Sequence, residues 1–481
     1  MSVGWESAGR SAGVGWLGKH CNVLHVRVTI VGGGGFRVPL IARQLAASGL
    51  PVRDLALYDT DASRLAVIRC VLAGDTGTAA LPVRATTSLD EALRGADFIF
   101  SALRAGGLDG RVRDERTALG LGVLGQETVG AGGLASAARA VPAADAIARR
   151  TRELAPQAWV ISMTNPAGIV TETMARVLGN RVIGVCDSPV GLIRRVCAAC
   201  GVDPGPDLGA VAGRVEAGYL GINHLGWLRS LAVDGADLLP GLLADAGRLG
   251  SFEEGRLFGP DVIAALGAIP NEYLYWYYAA AEAQRDVLAA GRTRGEHVRD
   301  RQRAFYAAAA AVGPQEAARL WRDANDERNR SYFAELRTGG RAGDRDEADV
   351  AAGGYESVAL ALAAALVGGP EARLILNVPN AGTLPGLPAD MTVEVPCQVT
   401  SAGAVPLKGR RPTAHELGLM SAVRSCERDI AAAALAARDG AADRAVELAL
   451  SSFTRHPLVG SLEAARALAA AALSPSASHP V

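Results

Sequence analysis

The chain has 481 residues, with 49 Lys and Arg against 50 Asp and Glu, and 49% of its residues are apolar. That length and apolar content supply a sizeable core and predict two domains, or one large domain with a long insertion. Balanced charge with no long run of one sign argues against a nucleic-acid or membrane surface and favours a small-molecule partner.

Residues 1–25 are rich in Gly, Ser and Trp, lack the apolar region of a signal peptide, and read as a flexible extension. From residue 26, short apolar runs alternate with helical segments. Strands are expected at 26–31, 54–58, 97–102, 158–162 and 181–185, and helices near 37–48, 61–73, 88–94, 134–154 and 167–177. This alternation predicts a parallel sheet in a nucleotide-binding domain over 26–190. Beyond it the pattern changes. Helices at 271–290, 296–311, 413–438 and 441–451, with strands at 373–378 and 392–399, predict an α+β domain over 191–470 that covers the carboxyl ends of the sheet. The loop 337–353 reads as mobile or a lid, and 471–481 as a flexible tail. The fold class is therefore α/β, a Rossmann-type doubly wound sheet followed by an α+β substrate domain.

No apolar run reaches the ~18–20 residues of a membrane span. Seven cysteines at irregular spacings do not form a disulfide framework, which points to a reducing cytoplasm.

The residues with chemistry cluster at strand ends. Gly32-Gly33-Gly34-Gly35-Phe36-Arg37 follows the first strand, and its glycines would let a pyrophosphate approach the helix entrance. Asp59, 27 positions after Gly32 at the end of the second strand, is placed to accept hydrogen bonds from an adenosine ribose. Arg104 and Arg111 make a cationic loop suited to phosphate, whereas Arg113 and Arg116 read as a solvated helix start. Asn165, before Pro166, either caps the next helix or holds a substrate hydroxyl. Cys186 and His224 each lie in a turn next to glycine. They are too few for a closed structural zinc site, but suit a catalytic divalent ion with open positions as well as they suit a buried thiol and a hydrogen-bonded ring. Cys197 and Cys200 read as two half-buried thiols. Tyr273, Tyr275, Trp276, Tyr277 and Tyr278 form an aromatic stripe, mostly core, from which a hydroxyl could reach a cavity. Arg294 follows about one helix later as a further anion contact.

Ten stretches carry a resemblance: IVGGGGFRVP, LALYDTD, GQETVGAGG, TNPAG, GVCDSP, GINHLGW, AIPNEYLYWYY, TRGE, GGYESVALA and LNVPNAG, in order from about residue 26 to 410. Together they resemble the NAD- and metal-dependent glycosidases of glycoside hydrolase family 4. The resemblance implies a first domain like that of lactate and malate dehydrogenases, with NAD and Mn2+, or another divalent metal, as cofactors. It implies nucleotide contacts at Gly32, Gly33, Gly34, Phe36, Arg37, Asp59 and Arg104, and metal ligation by Cys186 and His224. It further implies sugar contact by Asn165, substrate-phosphate contacts by Arg111 and Arg294, and a tyrosine base at Tyr273, with Tyr277 as the alternative. Asp187 takes the place where some α-glucoside members carry an acid. The chain departs from the family pattern at Ala131, where Pro is expected, and at Tyr275 and Trp276.

The implied activity is hydrolysis of 6-phospho-glucosides, β-linked first, by transient oxidation at the sugar's C3 and proton removal at C2, outside the two-carboxylate scheme. The alternatives are a 6-phospho-α-glucosidase or α-galactosidase, a net phosphosugar oxidoreductase or epimerase, and a sensor without turnover. A cytoplasmic homodimer or homotetramer acting on a phosphorylated disaccharide or glucoside is the expected form.

Overall fold

The computed structural model describes residues 25–48, 50–203, 215–331 and 354–474. The loop 337–353 and nearly all of the expected N-terminal extension lie outside them. The last described helix, Leu462–Leu473, runs past the expected start of the tail.

Six strands form the parallel part of the sheet: β1 (Val26–Val31), β2 (Val52–Tyr58), β3 (Val83–Thr86), β4 (Phe98–Ser101), β5 (Trp159–Ser162) and β6 (Val182–Gly184). Their order is β3-β2-β1-β4-β5-β6, that of a dinucleotide-binding fold. β4, β5 and β6 are buried along their whole length because helices cover both faces, which is why they read as unbroken apolar runs. β3 was not anticipated, since its four residues are only partly buried and carry no such run.

Seven further strands follow: β7 (Val215–Ile222), β8 (Leu225–Val233), β9 (Ala236–Asp237), β10 (Ile269–Pro270), β11 (Ala372–Pro379), β12 (Thr392–Thr400) and β13 (Gly403–Pro406). These pair antiparallel with one another. They also join the first set, because β11 pairs with β6 at Asn377 and Gly184. The result is one 13-stranded sheet, so hydrogen bonding crosses the boundary expected near 190. Pairing with β11 also satisfies the backbone groups that β6 would otherwise expose as an edge. One apolar core spans both halves, from Val26 and Ile30 to Val395 and Met420.

The single helix expected at 271–290 is instead broken. Glu272–Leu274 is a 3-10 turn, Tyr275–Tyr278 a single helical turn, and Ala280–Ala289 a separate helix after a break at Ala279. The aromatic side chains are anchored in different directions: Tyr275 against Phe258, Tyr277 toward His456, Tyr278 onto Trp227 and His415. The next helix starts at Arg294 under a capping box made by Thr293 and Glu296, and ends at Ala309. It is followed by Pro314–Arg330.

Candidate active site

The glycine turn is shaped by close approach. Gly32 has φ +87°, and a Cβ there would lie 2.6 Å from the Ala102 carbonyl oxygen. The N–H groups of all four glycines already donate within the chain: Gly32 and Gly33 to Tyr58, Gly35 to Gly32, and Gly34 to the Asp59 carboxylate at 3.0 Å. The glycines therefore contribute space here, and not spare donors. Asp59 also accepts from the Asp61 N–H at 3.1 Å, and a carboxylate retains further lone pairs for a ribose hydroxyl. The turn is strapped from outside by the second half of the chain. Tyr306 donates to the Gly34 carbonyl at 2.7 Å, Trp321 Nε1 donates to the Phe36 carbonyl at 2.8 Å, and Phe36 packs edge-on against Phe305. Arg37 opens the following helix and faces Asp187 at 3.7 Å, joining this turn to the one that carries Cys186.

Cys186 follows β6, and His224 lies in the two-residue turn that joins β7 to β8. Both are buried. His224 adopts φ +62°, a left-handed conformation that costs a non-glycine residue about 1–3 kcal/mol. Both ring nitrogens are buried without a hydrogen-bond partner. Burial pushes its pKa down to about 3, against the opposing charge of Glu127, so the ring is neutral and keeps a lone pair. A buried polar group left in that state costs about 1–3 kcal/mol, which a metal ion would remove. Burial pushes the Cys186 thiol well up, helped by Glu394, Asp187 and Glu272, so a thiolate there calls for a cation. Among the described residues no three His, Cys, Asp or Glu side chains converge on a metal position. Two protein ligands leave coordination positions for substrate oxygens and water.

Glu394 ties the two ligand turns together. Across the sheet Gly184 pairs with Asn377, Asn377 with Glu394, and Glu394 with Gly221. The buried Glu394 carboxyl accepts from Asn377 at 2.9 Å, Tyr219 at 3.1 Å and Asn223 at 3.2 Å. Asn223 also accepts from the Ala167 N–H at 3.1 Å and so caps the helix Ala167–Leu178 from another element. Asn165 is therefore not the cap that its position allowed. The capping position is Pro166, and the Asn165 Oδ1 is buried with no protein partner. The tyrosine turn is tied in by Ser188, which donates to Glu272 at 2.6 Å. Tyr273 stacks on His224, with ring centroids 3.8 Å apart and planes 10° from parallel. Tyr277 turns away toward His456, and its pKa is raised by burial and by Glu427.

The arginines converge on Glu127. Arg104 and Arg111 both pair with its carboxylate, the second at 2.5 Å, while Arg111 Nε donates to Glu115 at 2.7 Å. Despite burial, these arginines hold the Glu127 carboxyl down at about 2. Glu115 in turn accepts from the Gly295 N–H at 2.9 Å, which brings the Arg294 turn alongside Arg111. Arg294 donates to Ser331 Oγ and to the Arg328 carbonyl, both at 2.9 Å.

Of the sequence-predicted residues, Tyr273 meets His224, Arg37 meets Asp187 beside Cys186, and Arg104 and Arg111 meet on Glu127, whereas Tyr277 turns away. Sequence reasoning missed Glu127, Asn223, Glu272, Arg328 and Glu394. The first three sit inside stretches already singled out, Asn223 and Glu272 directly beside His224 and Tyr273. Arg328 and Glu394 come from distant segments and carry no local signal.

Two family models match the chain: "Family 4 glycosyl hydrolase" over residues 27–202 and "Family 4 glycosyl hydrolase C-terminal domain" over 219–459. A 6-phospho-beta-glucosidase of Escherichia coli (strain K12) is 30% identical over 394 residues, 79% of this chain and 81% of that protein. A probable 6-phospho-beta-glucosidase of Bacillus subtilis (strain 168) is 28% identical over 456 residues, covering 91% of this chain and 93% of that one. A solved 6-phospho-alpha-glucosidase from gut microorganisms, in complex with NAD and Mn2+, superposes with a TM-score of 0.70 at 26% identity, over 93% of this chain and 97% of that one. The nucleotide-type strand order, the paired cysteine and histidine turns and these matches together place the chain in one family: it belongs to the family 4 glycosyl hydrolases.

Proposed function

We propose that this protein hydrolyses 6-phosphorylated glucosides, the β-linked ones first, with NAD and Mn2+ or another divalent metal bound. The observation that carries the reading is the buried His224 ring, unpartnered and held at positive φ against Tyr273. A purely structural histidine would have a hydrogen-bond partner. Cys186 and His224 would hold the metal, and the glycine turn with Phe36, Arg37, Asp59 and Arg104 would hold the nucleotide. When bound, these groups would supply transient oxidation at the sugar's C3 and charge stabilisation at the neighbouring oxygens.

The chain's own residues do the rest. Asn165, with its unpartnered Oδ1, holds a sugar hydroxyl. Arg111 and Arg294 position the 6-phosphate. Tyr273 removes the proton at C2 as general base. We assign Asp187, by its place directly after Cys186, as the candidate acid for the leaving oxygen. We assign the nucleotide to residues 26–190 and the sugar and metal to 191–470, in a cytoplasmic homodimer or homotetramer. The relatives include both β- and α-linked specificities, so 6-phospho-α-glucosides are the second substrate class.

A panel of α- and β-linked p-nitrophenyl glucosides, with and without 6-phosphate, tests this when run with NAD+ and Mn2+ under reducing conditions. Release of nitrophenol from the phosphorylated members, with NAD+ acting catalytically, is expected. Better turnover of unphosphorylated glucosides, or stoichiometric NADH, would refute it.

A further inference from the structure

The arginines of the site are not equivalent. Arg104 and Arg111 are committed to Glu127, Arg111 also to Glu115, and Arg37 faces Asp187. Arg294 spends two donors on Ser331 and on the Arg328 carbonyl. Arg328 differs from all of these. It lies in the last turn of the helix Pro314–Arg330, whose Trp321 is hydrogen-bonded to the glycine turn. It lines a small cleft between that turn and the helices with Phe36, His297, Arg301 and Glu327, where the Glu327 carboxylate is taken up by His297 and Arg301. Its guanidinium is part-buried, yet it makes no hydrogen bond or ion pair among the described residues. Arginines at helix ends often bind the last carbonyls. Here the Arg328 carbonyl accepts from Arg294 and from Ser331 instead.

The surroundings make that position unfavourable for a cation. Burial and the charges of Arg37, Arg294 and Arg104 push the Arg328 pKa down to about 10, and Glu127, already shared by two arginines, is the counter-charge that opposes them. A fork of donors held unpaired among like charges is arranged for an anion that comes from outside the chain.

We propose that Arg328 is a phosphoryl-binding residue, a direct contact for a phosphate that enters between the glycine turn and the Arg294 turn. The inference rests on the functional reading above, under which two phosphoryl groups reach this site, the sugar's 6-phosphate and the pyrophosphate of the nucleotide.

The test uses the full chain and its Arg328→Gln and Arg328→Lys variants. Calorimetry reads the binding of NAD+ to the Mn2+-loaded protein, then of glucose 6-phosphate to the NAD-saturated protein, then of inorganic phosphate to metal-free protein. Loss of a charged hydrogen-bonding fork predicts roughly 10- to 100-fold weaker binding of a phosphoryl ligand by Arg328→Gln, with partial recovery in Arg328→Lys. The urea midpoint should not fall, because the guanidinium makes no hydrogen bond or ion pair within the described residues and its removal takes a cation out from among like charges. Loss confined to glucose 6-phosphate assigns the substrate phosphate, and loss confined to NAD+ assigns the pyrophosphate. Binding of all three ligands by Arg328→Gln within about twofold of wild type overturns the proposal. A wild type that binds inorganic phosphate through Arg328, yet neither NAD+ nor glucose 6-phosphate, would refute the functional reading and support this assignment. A wild type that binds none of the three overturns both.

Discussion

Replacing Glu127 by Gln removes the charge on which Arg104 and Arg111 converge. Its side chain is 15% exposed, so solvent screens the pairing only partly. The carboxyl is held at about 2 against an ordinary 4.5, a difference of about 2.5 units. At 1.36 kcal/mol per unit this corresponds to about 3 kcal/mol. Breaking a buried pair by removing one partner independently suggests about 3–5 kcal/mol, so the two routes agree in size. The sign follows from the depressed folded value. The stabilisation is complete above the unfolded pKa and is lost as pH falls through the folded one. At pH 7 the variant should lose about 3 kcal/mol, and near pH 3 about half of that, because the unfolded chain is by then protonated and the folded one is not. Urea unfolding followed by tryptophan fluorescence at the two pH values measures both numbers. An equal loss at both pH values, or a loss below about 0.5 kcal/mol at pH 7, would refute the claim that Glu127 is an ionised hub.

Tyr273→Phe should lower turnover of a 6-phospho-β-glucoside by about 10²- to 10⁴-fold, whereas Tyr277→Phe should leave it near wild type; the opposite ranking would move the base to Tyr277. Burial beside Glu254 keeps the Glu272 carboxyl protonated well above the carboxylate range, against the pull of Arg195. Native stability should therefore fall as pH rises above the ordinary value of 4.5, and Glu272→Gln should flatten that fall in melts between about pH 5 and pH 8. Parallel curves would show that Glu272 is ionised in the folded protein. Asn223→Ala removes a helix cap and a donor to Glu394, and should cost about 1–3 kcal/mol in urea and weaken Mn2+ binding measured by calorimetry. Unchanged metal affinity would mean that Asn223 does not orient the His224 turn.

Much of the first half is legible from pattern alone. Strands buried on both faces read as short apolar runs, so β1, β2, β4, β5 and β6 show in the residue order. The same logic marks strand ends as the place for ligands, which is how Gly32, Asp59, Asn165 and Cys186 were found. The β7–β8 hairpin was hidden because it has little regular alternation and its turn carries Asn223 and His224 in place of the usual glycine. The break at Ala279 was hidden because helical spacing runs on through it and no Gly or Pro marks it.

Local sequence determined the element types along the parallel sheet, the glycine turn and the residue kinds able to bind a nucleotide, a metal and a phosphate. Only the tertiary structure decided which of them meet. Glu394 and Asn377 reach the ligand turns through sheet pairing, Tyr306 and Trp321 reach the glycine turn from helices more than 250 positions away, and Glu127 gathers its arginines by folding. The physical reason is the range of the forces involved. Backbone preference and side-chain periodicity act over a few residues, whereas ion pairing and the burial of an unpartnered imidazole are settled only when distant segments close around them.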